Sequence, residues 1–374
     1  MSSYETEVDG YISEISKRRY NELVKIKEIF HKIEEDAKEL IPDIIVDGPK
    51  PDLKDLETNV VAADGGSYQE EYEATSILLA VAYAYFTKGC IERYLPKISI
   101  IPPYYSSLVN SVSMKTLEYQ ITHSVLEELN KSGNFPKLVF LDGTITFPDN
   151  ALFEHVDRVP WINEVHDEYV KVSTEFFNYL KDEDIPVIAV VKDSQANKYF
   201  LSLVKSLSNG NSKNEFTDED IQSMEELISK WKPNGEYSQV SEYSMIKYLF
   251  KDKNLKRTKY VEVTQSLRSE VPIEMLQGNI IGMYIKINTN QKPFFIEIPG
   301  FFKHKLDQIL QLFTSFSYFS LRPGYPLPLF AAHMKVQLRK KSAHRIIQLL
   351  KNFTRKDLPE YYHLLYEEKF HERL

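Results

Sequence analysis

Three carboxylates stand where a carboxylate is costly. Asp64 follows the apolar run Val60-Val61-Ala62-Ala63, Asp142 follows Val139-Phe140-Leu141, and each is succeeded by a glycine. Between them lies Glu118, with Met114, Ile121 and Val125 at offsets of −4, +3 and +7, which places it on the apolar face of a helix. A charge in such a position must be hydrogen-bonded, reach the rim of its sheet or bind a cation. Convergent carboxylates hold hard divalent ions through oxygen ligands. Two such ions about 3.5–4 Å apart activate a water and stabilise the leaving oxygen of a phosphodiester. Taken singly, Asp64 and Asp142 also read as turn aspartates, because Asp-Gly is a common turn dipeptide. Glu118 also reads as the ion-pair partner of an Arg or Lys from elsewhere. Sequence leaves these alternatives open.

The elements that must position these groups follow from periodicity. Residues 4–40 repeat apolar positions at helical spacing and stop before Pro42. Residues 59–63 and 76–86 read as two strands of a hairpin, the second run being long enough to read also as a buried helix. A third strand, 97–101, is halted by Pro102-Pro103. Then come a helix over 106–131, a strand over 137–141, a helix over 160–182 and a strand over 186–191. This β-β-β-α-β-α-β order, with acids on the first strand, the first helix and the fourth strand, is the arrangement of the RNase H-like mixed-sheet α/β core. There strands one and four are parallel neighbours, so Asp64 and Asp142 are expected side by side despite 78 residues of separation. A hairpin is expected from 280–287 and 294–298, and helices over 303–316 and 328–353. The organisation expected is an N-terminal amphipathic helix (1–46), a core (47–200 and 257–374) and a mainly helical insertion (201–256), the last containing the polar stretch 208–220.

With 46 Lys and Arg against 54 Asp and Glu, the net charge of −8 argues against a nucleic-acid partner. The charge is unevenly spread, however. Between Asp307 and Asp357 there are nine basic residues, among them Lys335, Arg339, Lys340, Lys341 and Arg345, and no acidic one, which leaves −17 for the remainder. On the expected 328–353 helix the apolar positions Val336, Ala343, Ile346, Leu350 and Phe353 oppose Lys340, Lys341, His344, Lys351 and Arg355. That basic face reads either as a polyanion surface or as a solvated helix face. A single cysteine, Cys90, excludes a disulfide framework and a cysteine zinc module. With a polar N-terminus and no run of 18 apolar residues, neither secretion nor a membrane span is expected, and the cytoplasm is the expected compartment.

Six segments in order, AADGGS at 62–67, MKTLE at 114–118, FLDGT at 140–144, VVKDS at 190–194, PFFIEIP at 293–299 and GYPLPLFAAH at 324–333, resemble the NurA nucleases of archaea and some bacteria. The resemblance implies a manganese-dependent DNA nuclease on an RNase H-like core. It implies 5′–3′ exonuclease and single-strand endonuclease activity on single- and double-stranded DNA, usually as a homodimer, together with a HerA-type hexameric translocase in DNA end resection. A non-catalytic adaptor of such a translocase on the same fold is the alternative. Carried over by motif, Asp64, Glu118, Asp142 and His333 match the family's metal ligands, holding Mn²⁺, or Mg²⁺ in its place, as two ions per site. A histidine ligand favours Mn²⁺, imidazole being a softer donor than carboxylate. Lys192 matches a lysine near the metals, also readable as a strand-end surface lysine. Tyr325 offers a ring for a base or a hydroxyl for a phosphate, although Gly-Tyr-Pro is also simply a turn. DNA contacts are expected from Tyr325, Lys335, Arg339, Lys340, Lys341 and Arg345. Two departures stand out: Gly66 is an extra glycine where Asp-Gly-Ser is common, and Thr144 replaces a usual Ser.

Overall fold

The structure is a computed structural model. It describes residues 3–88, 91–103, 106–145, 160–192, 199–200, 202–203, 215–216, 226, 229–230, 235–237, 240–263, 280–322, 324–337 and 340–366. Cys90, Arg339 and most of the expected insertion lie outside them. Among the described residues no helix is long and apolar enough to cross a membrane.

The expected core order is present. Strands β2 (Val60–Glu71), β3 (Ser76–Phe86) and β4 (Glu92–Ile101) form an antiparallel meander. Helix α2 (Ser106–Lys131), β5 (Leu138–Asp142), α3 (Pro160–Asp182) and β6 (Val187–Val191) follow. β5 pairs in parallel with both β2 and β6, giving the order β4-β3-β2-β5-β6. The short runs of β5 and β6 are almost wholly apolar and buried, as a strand covered on both faces requires.

Beyond β6 the sheet continues antiparallel through β10 (Phe294–Pro299) and β9 (Ile280–Lys286) to β7 (Lys256–Thr258) and β1 (Ile45–Asp47), with β8 (Val261–Val263) also on β9. The N-terminal helix, α1 (Ser3–Ile44), runs through Pro42 instead of stopping before it and leads directly into β1. Its base packs through Ile33, Ala37 and Ile44, while Tyr11, Ile12, Ile15, Tyr20 and Leu23 remain exposed. Helix α4 (Glu242–Leu249), inside the expected insertion, is fastened to the sheet by its first residue. The fully buried Glu242 carboxylate accepts from the Tyr199 and Phe200 amides at 3.1 and 3.0 Å and from the Tyr284 hydroxyl at 2.8 Å.

The C-terminal part departs from expectation in two places. A 3₁₀ segment, Gly300–Lys305, precedes α5 (Leu306–Tyr318). The single helix expected over 328–353 is two, α6 (Leu327–Val336) and α7 (Lys340–Asp357), because Gln337 has ψ 104 and leaves the helix. The break carries no glycine or proline that would announce it. Past the break α7 is rotated from the expected stripe: Ala343 and Ile347 are buried, the latter with Tyr72, Ile77 and Tyr366, whereas Ile346 and Phe353 face outward. The last helix, α8 (Pro359–Tyr366), folds back beneath α7.

Glu242→Ala leaves two amides and a tyrosine hydroxyl without this buried acceptor. It is expected to cost at least about 1–3 kcal/mol, read as a lower urea midpoint with a native-like circular dichroism spectrum before the transition.

Candidate metal centre

Strand register brings the first two acids together. Ala63 pairs with Leu141 across the parallel β2–β5 ladder, so the next residues on each strand, Asp64 and Asp142, lie side by side. Because side chains alternate across a strand, both point to one face of the sheet, the face covered by α5 and α6. Asp64 is not a turn residue. β2 continues through Asp64-Gly65-Gly66-Ser67, with Asp64 opposite Tyr83, and the hairpin turns only beyond Glu71.

Helix α6 adds His333, whose Nδ1 lies 2.7 Å from Asp64 Oδ2. Ligand atoms of Asp64, Asp142 and His333 all fall within 4.8 Å of one another. Lys192, at the end of β6 on the same face, donates to Asp142 Oδ2 at 2.6 Å. Beneath it is Tyr325, with Lys192 Nζ 4.5 Å from the ring centre. The Tyr325 ring is fully buried, so neither face is open to stack on a base in this arrangement. Its hydroxyl is pushed up by burial and by the charges of Asp142 and Asp64.

Glu118 is buried, as its helical face predicts, yet it is not drawn into the cluster. α2 packs on the opposite face of β2, so Glu118 approaches from the Gly65 side of the strand, whereas His333 approaches from the Gly66 side. Lys115, one turn earlier on α2, donates to Glu118 Oε2 at 2.7 Å and to the Asp142 main-chain carbonyl at 2.5 Å. Glu118 is thus an ion-pair partner, though of a lysine on its own helix and not of one from elsewhere in the chain. A cavity of about 190 Å³ on this side is lined by residues including Asp64, Ser111, Lys115, Glu118, Asp142 and Thr144.

The electrostatics are those of a site short of positive charge. Burial, then the negative charges of Asp142 and Glu118, push the Asp64 carboxyl up to about 9. Burial also raises Glu118, against the opposing effect of Lys115. At Asp142 burial acts upward as well, but the charge and hydrogen bond of Lys192 outweigh it and hold this carboxyl below its ordinary value. His333 is pushed down by burial and by the Lys192 charge. Two adjacent carboxylates, shielded from water and unable both to ionise, make with a neutral imidazole a donor set suited to a divalent cation.

A family model for the NurA domain matches residues 58–338. The chain belongs to the NurA domain family. Its fold is similar to that of the NurA nuclease from Sulfolobus solfataricus, at 16% identity and a TM-score of 0.54, covering 91% of this chain and 98% of that one. A structure of NurA bound to dAMP and manganese is 15% identical, covers 92% and 97% of the two chains, and gives a TM-score of 0.48. No curated protein matches the chain.

Within this NurA domain three residues had no role assigned from sequence. Lys115 had a signal, since Lys and Glu three apart meet on a helix. Glu297, fully buried on β10 within the PFFIEIP segment, accepts from Thr144 Oγ1 at 2.7 Å and the Ile145 amide at 2.6 Å, tying down the chain that leaves Asp142. Gln337 lies 3.1 Å from the second ring nitrogen of His333; its place four residues on, one helical turn away, was the signal. Of the basic residues, Lys335 and Arg345 are exposed. Arg339 lies outside the described residues, as do the side chains of Lys340 and Lys341.

The glycine pair in AADGGS has a steric reason. A Cβ on Gly65 would meet Glu118 Oε1 at 2.7 Å, and one on Gly66 would meet the Val336 carbonyl at 2.5 Å. Each glycine admits one flanking helix. Gly66→Ala is expected to lift the end of α6, move His333 off Asp64 and weaken Mn²⁺ binding by roughly 10–100-fold. Titration of free Mn²⁺ by electron paramagnetic resonance reads the change.

Proposed function

We propose that the chain is a Mn²⁺-dependent deoxyribonuclease that hydrolyses phosphodiesters at the Asp64–Asp142 centre. The observation that carries this reading is the convergence of two mutually crowding carboxylates with His333 and Lys192 on one face of an RNase H-like sheet in a NurA domain. Asp64, Asp142 and His333 would hold the ion, the imidazole favouring Mn²⁺ over Mg²⁺. Bound there, the ion supplies Lewis acidity for activating a water and stabilising a leaving oxygen. Two ions per site, with Glu118 serving the second, is the fuller form of the proposal.

The chain's own groups divide the remaining work. Lys192, hydrogen-bonded to Asp142, brings a positive charge to the carboxylate pair and would face the scissile phosphate's developing negative charge. Tyr325 serves as the floor on which the Lys192 ammonium rests, not as a stacking surface. Lys335 on α6 and Arg345 on α7 are exposed and would follow the backbone of a DNA strand. 5′–3′ exonuclease with single-strand endonuclease activity, work in end resection beside a HerA-type hexamer, and a homodimeric state complete the proposal through the family resemblance.

The test incubates the protein with end-labelled single- and double-stranded DNA in Mn²⁺, Mg²⁺ or EDTA. Metal-dependent loss of label is expected with wild type, and Asp64→Ala or Asp142→Ala should reduce it by on the order of 10²–10³-fold or more without loss of the folded circular dichroism signal. Full activity in either variant overturns the site. No metal-dependent loss of label under any condition, with a HerA-type hexamer present or absent, favours the adaptor.

Strand binding is checked separately. The pair Lys335→Glu and Arg345→Glu should weaken DNA affinity for all sequences alike and flatten the dependence of log affinity on log salt by about one for each phosphate that no longer meets a basic side chain. Fluorescence anisotropy across a salt series measures both.

A further inference from the structure

Lys115 lines the cavity on the α2 side of the centre, and its surroundings are unusual for a lysine. It is nearly buried, its ammonium donates to Glu118 Oε2 and to the main-chain carbonyl of Asp142, and it lies 5.5 Å from the centre of the Tyr119 ring. These contacts join two elements that the backbone ladder does not join. Glu118 belongs to helix α2, and the Asp142 carbonyl is the last of strand β5. β5 ends at Asp142, and Gly143 turns away with φ +81. Among the described residues, the chain leaving this strand end is also held by the Gly143 amide, which donates to the Val190 carbonyl at 2.9 Å, and by the Glu297 contacts to Thr144 and Ile145.

We propose that Lys115 is a positioning residue that bridges Glu118 to the β5 terminus and so sets the distance between the α2 carboxylate and the Asp64–Asp142 pair. It acts through Glu118 and the Asp142 backbone, not on the substrate. The bridge also gives Glu118 a fixed partner within the cavity that both line with Asp64, while its other carboxylate oxygen lies against Gly65. Lys115 therefore contributes geometry at the expense of attraction for a cation, since an ammonium near the centre repels a divalent ion. This inference rests on the nuclease reading above.

The sign of that last effect gives a test that a merely structural lysine would not pass. Lys115→Met, Glu118→Gln and the double variant are compared with wild type for turnover at saturating Mn²⁺, for Mn²⁺ affinity by electron paramagnetic resonance in the absence of DNA, and for the urea midpoint in EDTA. Lys115→Met is expected to lower turnover by about tenfold or more while Mn²⁺ binds as tightly as in wild type or more tightly. The double variant is expected to turn over no more slowly than the worse single variant, because the two residues act as a unit. Losses that multiply in the double variant overturn the bridge, since Lys115 would then act independently of Glu118. Mn²⁺ affinity falling in step with turnover and urea midpoint overturns it too, in favour of a structural lysine. Should Lys115→Met fail to fold, Lys115→Gln, which keeps a donor for the carbonyl and gives up the charge, enters the same cycle. Wild type separates the two readings: absence of Mn²⁺-dependent cleavage by wild type ends the nuclease reading, whereas cleavage by wild type with multiplying losses ends only this one.

Discussion

The side-by-side placement of Asp64 and Asp142 is the constraint around which the molecule is arranged. Parallel pairing of β2 with β5 leaves the two carboxylates on one face with no freedom to separate, and burial prevents water from moderating their repulsion. The asymmetry between them is imposed from outside. Lys192 stabilises the charge on Asp142 and holds its carboxyl down, whereas burial and the neighbouring charges push up Asp64, which lies next to the imidazole of His333. A cation at the pair would relieve the same repulsion, and the donors that would receive it are already on hand.

Everything else near the centre delivers groups to that pair from two sides of one sheet. α6 arrives over Gly66 and brings His333; α2 arrives over Gly65 and brings Glu118 with its lysine. β6 supplies Lys192, and β10 reaches across with Glu297 to secure the turn after Asp142. The added glycine in the first motif thus accompanies a close helix approach. A side chain there would collide with the backbone of α6, a clash that no rotamer change relieves. The strands beyond β6 enlarge the sheet and give α4 an anchor, through Glu242.

The long-range basis for polyanion binding is as uneven as the chain's charge. The basic window reaches α6 at Lys335, two residues after His333 and 3.7 Å from Glu92, and continues along the chain onto α7. A net charge of −8 conceals this, because the sum averages an acidic body with a basic window. On α7 some of the basic groups are also engaged locally. Lys351 lies 4.2 Å from the centre of the Tyr72 ring and His344 2.7 Å from Glu70, which fastens the helix to the far end of β2.

Periodicity alone carried the core. The buried runs of β2, β5 and β6 and the helices α2 and α3 are local patterns of apolar spacing, and the order of those elements was enough to anticipate that Asp64 and Asp142 would be neighbours. Even the burial of Glu118 was legible, since three apolar residues on its helical face settle it. What sequence could not decide was which groups share a face of the sheet. That depends on β2 continuing straight through a glycine pair that reads locally as a turn, and on α6 ending at Val336 with its carbonyl close over Gly66. Those two tertiary facts put His333 with the aspartates and Glu118 behind them, pair Glu118 with Lys115, and enclose Tyr325. The types of residue open to the chemistry were therefore written in the chain. Their partners were set by strand alternation and close helix approach, which act between segments far apart in sequence and leave no local trace.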